Sequence, residues 1–336
     1  MNIETVYRDK NILITGGLGF IGSSLAVKLA DFGAHVTLVD SLIPGYGGNP
    51  YNAEKIINKV KINISDIRDI SVVNSLVPGK DYLFNMAGTL SHIDSMDDPH
   101  ADLDINCRAQ LSLLEACKKN NRGVKIIFAG TRSQYGKAGY LPVDENHPMK
   151  PLDVNGVNNT AGEAYHLLYN DIYGIRAVSL RLTNVYGPRH QMKHPNQGFL
   201  NWFIRLALDN EVIKIYGDGK QLRDFNYIDD VVEAVLLAGA NDRVNGEVFN
   251  LGGGSPVSVV DAAKKIIGIA GRGRYEFVPF PEDKKKIEIG DYCADYSKIS
   301  AILGWKPTIG FDEGLKRTID FYNKNKIHYW TPRFSR

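Results

Sequence analysis

The chain has 336 residues, with 40 lysines and arginines against 38 aspartates and glutamates, and 43% of it is hydrophobic. That length suffices for one large or two joined domains, and a net charge of +2 argues against a general nucleic-acid binder. No apolar run reaches the roughly 18 residues of a membrane span and the start MNIETVYRDK has no apolar signal core, so a cytoplasmic protein without membrane contact is expected.

In chain order, NILIT, HVTLVD, VKIN, YLFNMA, KIIFAG and RAVSLRLTN read as strands, separated by helical periodicity or loops. This alternation predicts an α/β fold of the Rossmann type, a doubly wound parallel sheet with helices on both faces. Beyond about residue 184 a helix near 197–209, a strand IKIYGDG, a helix from Ile228 to Ala240, a strand VFNLGGG and a helix near 311–326 follow. VFN can return to the first sheet while its neighbours build a smaller α/β C-terminal domain for the substrate. The expected division is 1-184 plus about 226-250 for the first domain, and about 185-225 with 251-336 for the second. Cys107, Cys117 and Cys293 show no metal-ligand spacing, so no metal site is expected and a reducing compartment fits.

The strongest motif opens the chain. After the strand NILIT come Gly16, Gly17, Gly19 and Gly22, then a helix and a second strand ending at Asp40. Glycines at 16, 19 and 22 let the backbone turn, approach a pyrophosphate and pack helix on strand, while the helix start at Phe20 and Ile21 supplies amide donors. Asp40 can accept from the adenosine ribose hydroxyls and repel a 2′-phosphate, which favours NAD over NADP.

The spacing TGGLGFIG resembles the extended short-chain dehydrogenase/reductase family, the NAD-dependent nucleotide-sugar epimerases and dehydratases. SDIRD, FNMAG, SHIDSMDDP, LRLTNVYGPR, GDGKQLRDFNYIDD and ADYSKISAILGW extend the resemblance over almost the whole chain. It implies that Asp66 and Ile67 border the adenine and that Met86, Ala87 and Gly88 line the cofactor. It implies a nucleoside-diphosphate sugar as ligand, with Asn184 and Arg223 at its diphosphate and Lys285 near a second phosphate-binding position. Thr131 matches the hydroxyl residue that shares the substrate hydrogen bond. A homodimer through helices near 102–120 and 162–173, using Leu111, Leu114, Leu167 and Leu168, is also implied.

The family's catalytic tyrosine and lysine map without a gap onto Asn155 and Asn159. YNAEK at 51–55 and YNKNK at 322–326 have the right spacing but do not follow the fifth strand. An amide can hydrogen-bond a sugar or ribose hydroxyl, yet it neither takes up a proton nor shifts a neighbour's pKa as a charge would. Asn155 is expected to face the reacting sugar carbon and Asn159 the nicotinamide ribose, so that installing Tyr and Lys there should speed hydride transfer. Candidates for a replacement base are His92, Asp94 and Tyr135, and Arg132 is suited to an anionic sugar or a second phosphate. Arg132-Ser133 stands where dehydratases carry Asp-Glu, which disfavours 4,6-dehydration. The expected function is an NAD-dependent epimerase or dehydrogenase acting on a ring hydroxyl. The alternative is a protein that binds both ligands with little or no redox turnover, as a sensor, partner subunit or active-site variant.

Overall fold

The computed structural model describes residues 2–330. Its strands are β1 (Asn11–Thr15), β2 (His35–Asp40), β3 (Val60–Ile64), β4 (Tyr82–Asn85), β5 (Lys125–Thr131), β6 (Ala177–Leu182), β7 (Asn184–Tyr186), β8 (Val212–Tyr216), β9 (Leu222–Arg223), β10 (Phe225–Tyr227), β11 (Val248–Asn250), β12 (Val257–Ser258) and β13 (Arg274–Val278). Seven of them form one parallel sheet in the order β11-β6-β5-β4-β1-β2-β3. Strand order reverses between β1 and β4, the place where doubly wound sheets open a crevice at their carboxyl ends.

The helices are α1 (Ile3–Tyr7), α2 (Phe20–Asp31), α3 (Ile70–Leu76), α4 (His92–Asp97), α5 (Pro99–Leu103), α6 (Ala109–Asn120), α7 (Val154–Tyr173), α8 (Phe199–Leu208), α9 (Ile228–Ala240), α10 (Val259–Ala270), α11 (Glu282–Lys286), α12 (Ser297–Leu303) and α13 (Phe311–Asn325). The central strands are apolar on both sides because both faces are covered. Ile12, Ile14, Phe84 and Ile127 pack with Leu25, Val231 and Val235, while Leu13, Leu83 and Ile126 pack with Val73, Leu113 and Cys117. Successive residues of one strand thus feed opposite cores, as the two-residue pleat requires.

Two expected strands end early for local reasons. RAVSLRLTN breaks after Leu182, and β7 leaves the sheet to pair with β10. IKIYGDG stops at Tyr216, because Gly217 and Gly219 both take positive φ, 66° and 67°. The remaining short strands pair as β12-β9 and β13-β8 on the side of the C-terminal helices. Among the described residues no helix is long and apolar enough to cross a membrane, and no group of three or more His, Cys, Asp or Glu could hold a metal ion.

Candidate active site

A cavity of about 500 Å³ opens above the carboxyl ends of β1, β2, β4 and β5. Its first half is built by the glycine turn. Gly16 has φ +63°, and a Cβ there would lie 2.8 Å from Met86 O; a Cβ on Gly22 would lie 2.3 Å from Gly16 O. Only bare backbone allows the turn to close this tightly. α2 starts after Gly19 with no side-chain cap, so the first-turn amides of Phe20, Ile21 and Gly22 face a cavity wall with their donors and dipole available. These features fit a pyrophosphate.

Asp40, Asp66, Ile67, Met86, Ala87 and Gly88 line the same half. Asp40 accepts Leu18 N at 3.0 Å through Oδ2 and Leu42 N at 2.9 Å through Oδ1. Burial pushes its carboxyl up, against the backbone hydrogen bonds, yet each oxygen keeps a lone pair for a ribose hydroxyl. Asp66 is taken by the Arg68 fork, which holds its carboxyl low.

At the other half stand Thr131, His92, Asn159, Arg132 and Asn184. Thr131 ends β5 and caps a short turn, accepting Ser133 N at 3.3 Å, which leaves its hydroxyl proton to donate. His92 begins α4, after the Ser91 cap, and its Nδ1 lies 2.7 Å from Asp153 Oδ2. Asp153 is buried and also caps α7, Oδ1 accepting Gly156 N at 2.7 Å. The carboxylate fixes the proton on Nδ1, so Nε2, which has no partner among the described residues, is the acceptor atom. Asn159 donates to Asn155 O at 2.9 Å, and its Oδ1 accepts no hydrogen bond among the described residues.

Asn155 is elsewhere than expected. It starts α7 as predicted, but its side chain is 1% exposed and turned into a buried network instead of the cavity. Its Nδ2 donates to Thr89 O at 2.8 Å and Asp102 Oδ2 at 3.0 Å. The same carboxylate takes Asn158 at 2.8 Å, Asn106 at 3.0 Å and the Thr89 hydroxyl at 2.5 Å. A buried carboxylate needs such donors, and the asparagines supply them. Asn155 is therefore held inside this network and does not line the cavity.

Tyr135 is corrected too. It is fully buried, donating to Asn250 Oδ1 at 2.6 Å and accepting Arg181 Nη1 at 2.6 Å, and burial raises its phenol. It does not line the cavity. Lys285 is exposed on α11 and does not line the cavity. Arg223 is buried just behind the wall, bound to Gly290 O at 2.6 Å and to Glu288, whose side chain does line the cavity. Asn184 donates one amide hydrogen to Asp224 O at 2.9 Å, leaving the other free. YNAEK and YNKNK meet each other remotely, Tyr51 donating to Asn325 Oδ1 at 2.7 Å.

Glu288, which lines the cavity, and Asp153, which meets it through His92, are candidate site residues absent from the sequence expectations. Asp153 had a signal, an acidic residue three before Gly156 at a helix start, the pattern of a cap. Glu288 had none beyond its nearness to GDYCADY.

Comparison with known proteins gives a match of residues 12–252 to the family described as NAD dependent epimerase/dehydratase. UDP-glucose 4-epimerase of Mycolicibacterium smegmatis is 30% identical over 94% of this chain and 98% of its own. The structure of UDP-glucose 4-epimerase from Thermotoga maritima with UDP-glucose is similar at TM-score 0.85 and 32% identity, over 94% of this chain and 99% of that one. That of UDP-N-acetylglucosamine 4-epimerase from Methanobrevibacter ruminantium, in complex with UDP-N-acetylmuramic acid, is similar at TM-score 0.87 and 29% identity, over 95% and 99%.

Proposed function

Since the chain belongs to the NAD dependent epimerase/dehydratase family, we propose that it oxidises a ring hydroxyl of a nucleoside-diphosphate sugar, as an epimerase or dehydrogenase, with His92 in place of the usual phenolate. The observation that carries this reading is the His92–Asp153 pair at the cavity wall. NAD, when bound, supplies the hydride acceptor. The glycine turn and the start of α2 would hold its pyrophosphate, Asp40 its adenosine ribose and Asn159 the nicotinamide ribose. Thr131 donates to the sugar oxygen and orients it. Nε2 of His92 takes the hydroxyl proton as the carbon loses its hydride, and the buried Asp153 carboxylate stabilises the resulting imidazolium. The diphosphate lies toward Asn184 and Arg223, where it must displace Glu288 from the guanidinium.

In this reading, 1-184 with about 226-250 forms the NAD domain and 185-225 with 251-336 the sugar-nucleotide domain. The location is the cytoplasm, which three unpaired cysteines fit. The partner is a second copy of the chain. α7 presents Val157, Leu168 and Ile172 at 53%, 49% and 65% exposure, an apolar stripe suited to a two-fold contact, whereas Leu114 is fully buried and takes no part. Light scattering at micromolar concentration should give twice the chain mass.

The test of function is incubation of the purified protein and NAD with a panel of nucleotide sugars, following reduced-nicotinamide absorbance and analysing products. Turnover of one of them is expected. Binding without turnover across the panel would overturn the redox reading.

A further inference from the structure

Arg132 is the cation that the proposed reaction does not use. Its side chain is half-buried at the cavity wall, and Nη1 is buried with no hydrogen-bond partner. Among the described residues its guanidinium makes no ion pair. The neighbouring carboxylates are committed elsewhere, Glu288 to Arg223 and Asp153 to His92. The guanidinium lies over the Tyr292 ring, Cζ 5.5 Å from the centroid, which fixes its plane. Burial, with the charge of Arg223 nearby, pushes it down to about 10. Carboxylates lie near enough to feel this charge, but none among the described residues hydrogen-bonds it, so a ligand anion that does would be favoured.

The position of Arg132 narrows what that anion is. It directly follows Thr131, which the proposed reaction places at the sugar end, while that reaction sends the diphosphate toward Asn184 at the wall and Arg223 behind it. A planar guanidinium offers two parallel N–H groups that match a carboxylate.

We propose that Arg132 is a specificity residue that binds a carboxylate on the sugar, so that the substrate class is a nucleoside-diphosphate uronic acid or another acidic sugar. This rests on the nucleotide-sugar reading above. The experiment is calorimetric titration of NAD-loaded protein with UDP-glucuronate, UDP-glucose and UDP, for the natural chain, Arg132→Gln and Arg132→Lys. The natural chain should bind UDP-glucuronate about tenfold or more tightly over UDP-glucose, the worth of a charge-assisted pair. Arg132→Gln should lose this preference, with UDP and UDP-glucose changed less than about threefold; Arg132→Lys should keep part of it, as charge without the fork. Unchanged NAD affinity reports that the variants are folded.

Equal affinity for the two sugars in the natural chain overturns the proposal. So does a loss for UDP as large as for UDP-glucuronate, which would assign the guanidinium to the diphosphate. If the natural chain binds neither UDP, nor either sugar, nor any member of the nucleotide-sugar panel, the nucleotide-sugar reading itself fails and takes the proposal with it.

Discussion

Asp153 joins two elements through one carboxylate, Oδ2 on His92 Nδ1 and Oδ1 on Gly156 N, both at 2.7 Å. The start of α7 and the orientation of the imidazole are therefore set together. Burial pushes this carboxyl up, but the hydrogen bond and charge of His92, the Gly156 amide and Arg132 together hold it below the usual range.

The two roles separate in variants. Asp153→Asn keeps an oxygen for the cap and removes the charge, so stability should change by less than about 1 kcal/mol while hydride transfer slows about 10²-fold. Asp153→Ala should show the same slowing and lose roughly 1 kcal/mol as well, measured by urea unfolding. Natural rates in Asp153→Asn would reduce the residue to a cap.

Asn155 donates to Asp102 inside a fully buried cluster. Asn155→Ala should cost about 1–3 kcal/mol, since it leaves Thr89 O and Asp102 each short of a donor. The combined Asn155→Tyr and Asn159→Lys change should melt lower than the natural chain and give no faster nicotinamide reduction. A faster rate in that double variant would restore the expectation that position 155 faces the sugar.

Asp40 lines the cavity at the end of β2, where the proposed binding mode brings the adenosine ribose, and both its oxygens are already held by amides. NADP should bind more weakly than NAD by roughly 1–4 kcal/mol, the repulsion of neighbouring charges near a protein surface. Asp40→Ala should narrow that gap; equal binding by the natural chain would show that Asp40 does not face the ribose.

Acid should destabilise the fold through two buried histidines. Burial lowers His166 and His190 to about 4 each, so the unfolded chain binds more protons between there and the ordinary value. Their stabilising contribution is present at neutral pH and lost as pH falls through that window. Asp224 runs the other way: burial raises it to about 6, and it favours the folded state as pH falls below that. The net loss between pH 7 and pH 5 should be on the order of 2 kcal/mol by urea unfolding. A flat profile would mean that these histidines are hydrated.

The sheet was legible because its order follows from alternating elements and its crevice from the glycine turn, both local patterns. The cofactor half of the site was legible for the same reason, since Gly16 to Asp40 is one continuous unit. The chemical half was not. Asn155 and Asn159 look equivalent in sequence, four apart on one helix, yet only Asn159 reaches the cavity. What separates them is Asp102, 53 residues before Asn155, which draws Asn155 into the core. The His92–Asp153 contact spans 61 residues and depends on α4 docking beside α7, which no spacing encodes. Lys285 does not line the cavity, and counting back from ADYSK cannot tell which side of a short helix turns toward it.

In the proposed reaction His92 Nε2 takes the substrate proton. Rapid mixing of the NAD-loaded His92→Gln variant with the nucleotide sugar that the natural chain turns over, read at the reduced-nicotinamide band, tests it most directly. Reduction should slow about 10²- to 10⁴-fold with sugar-nucleotide affinity little changed. Reduction at the natural rate would contradict it.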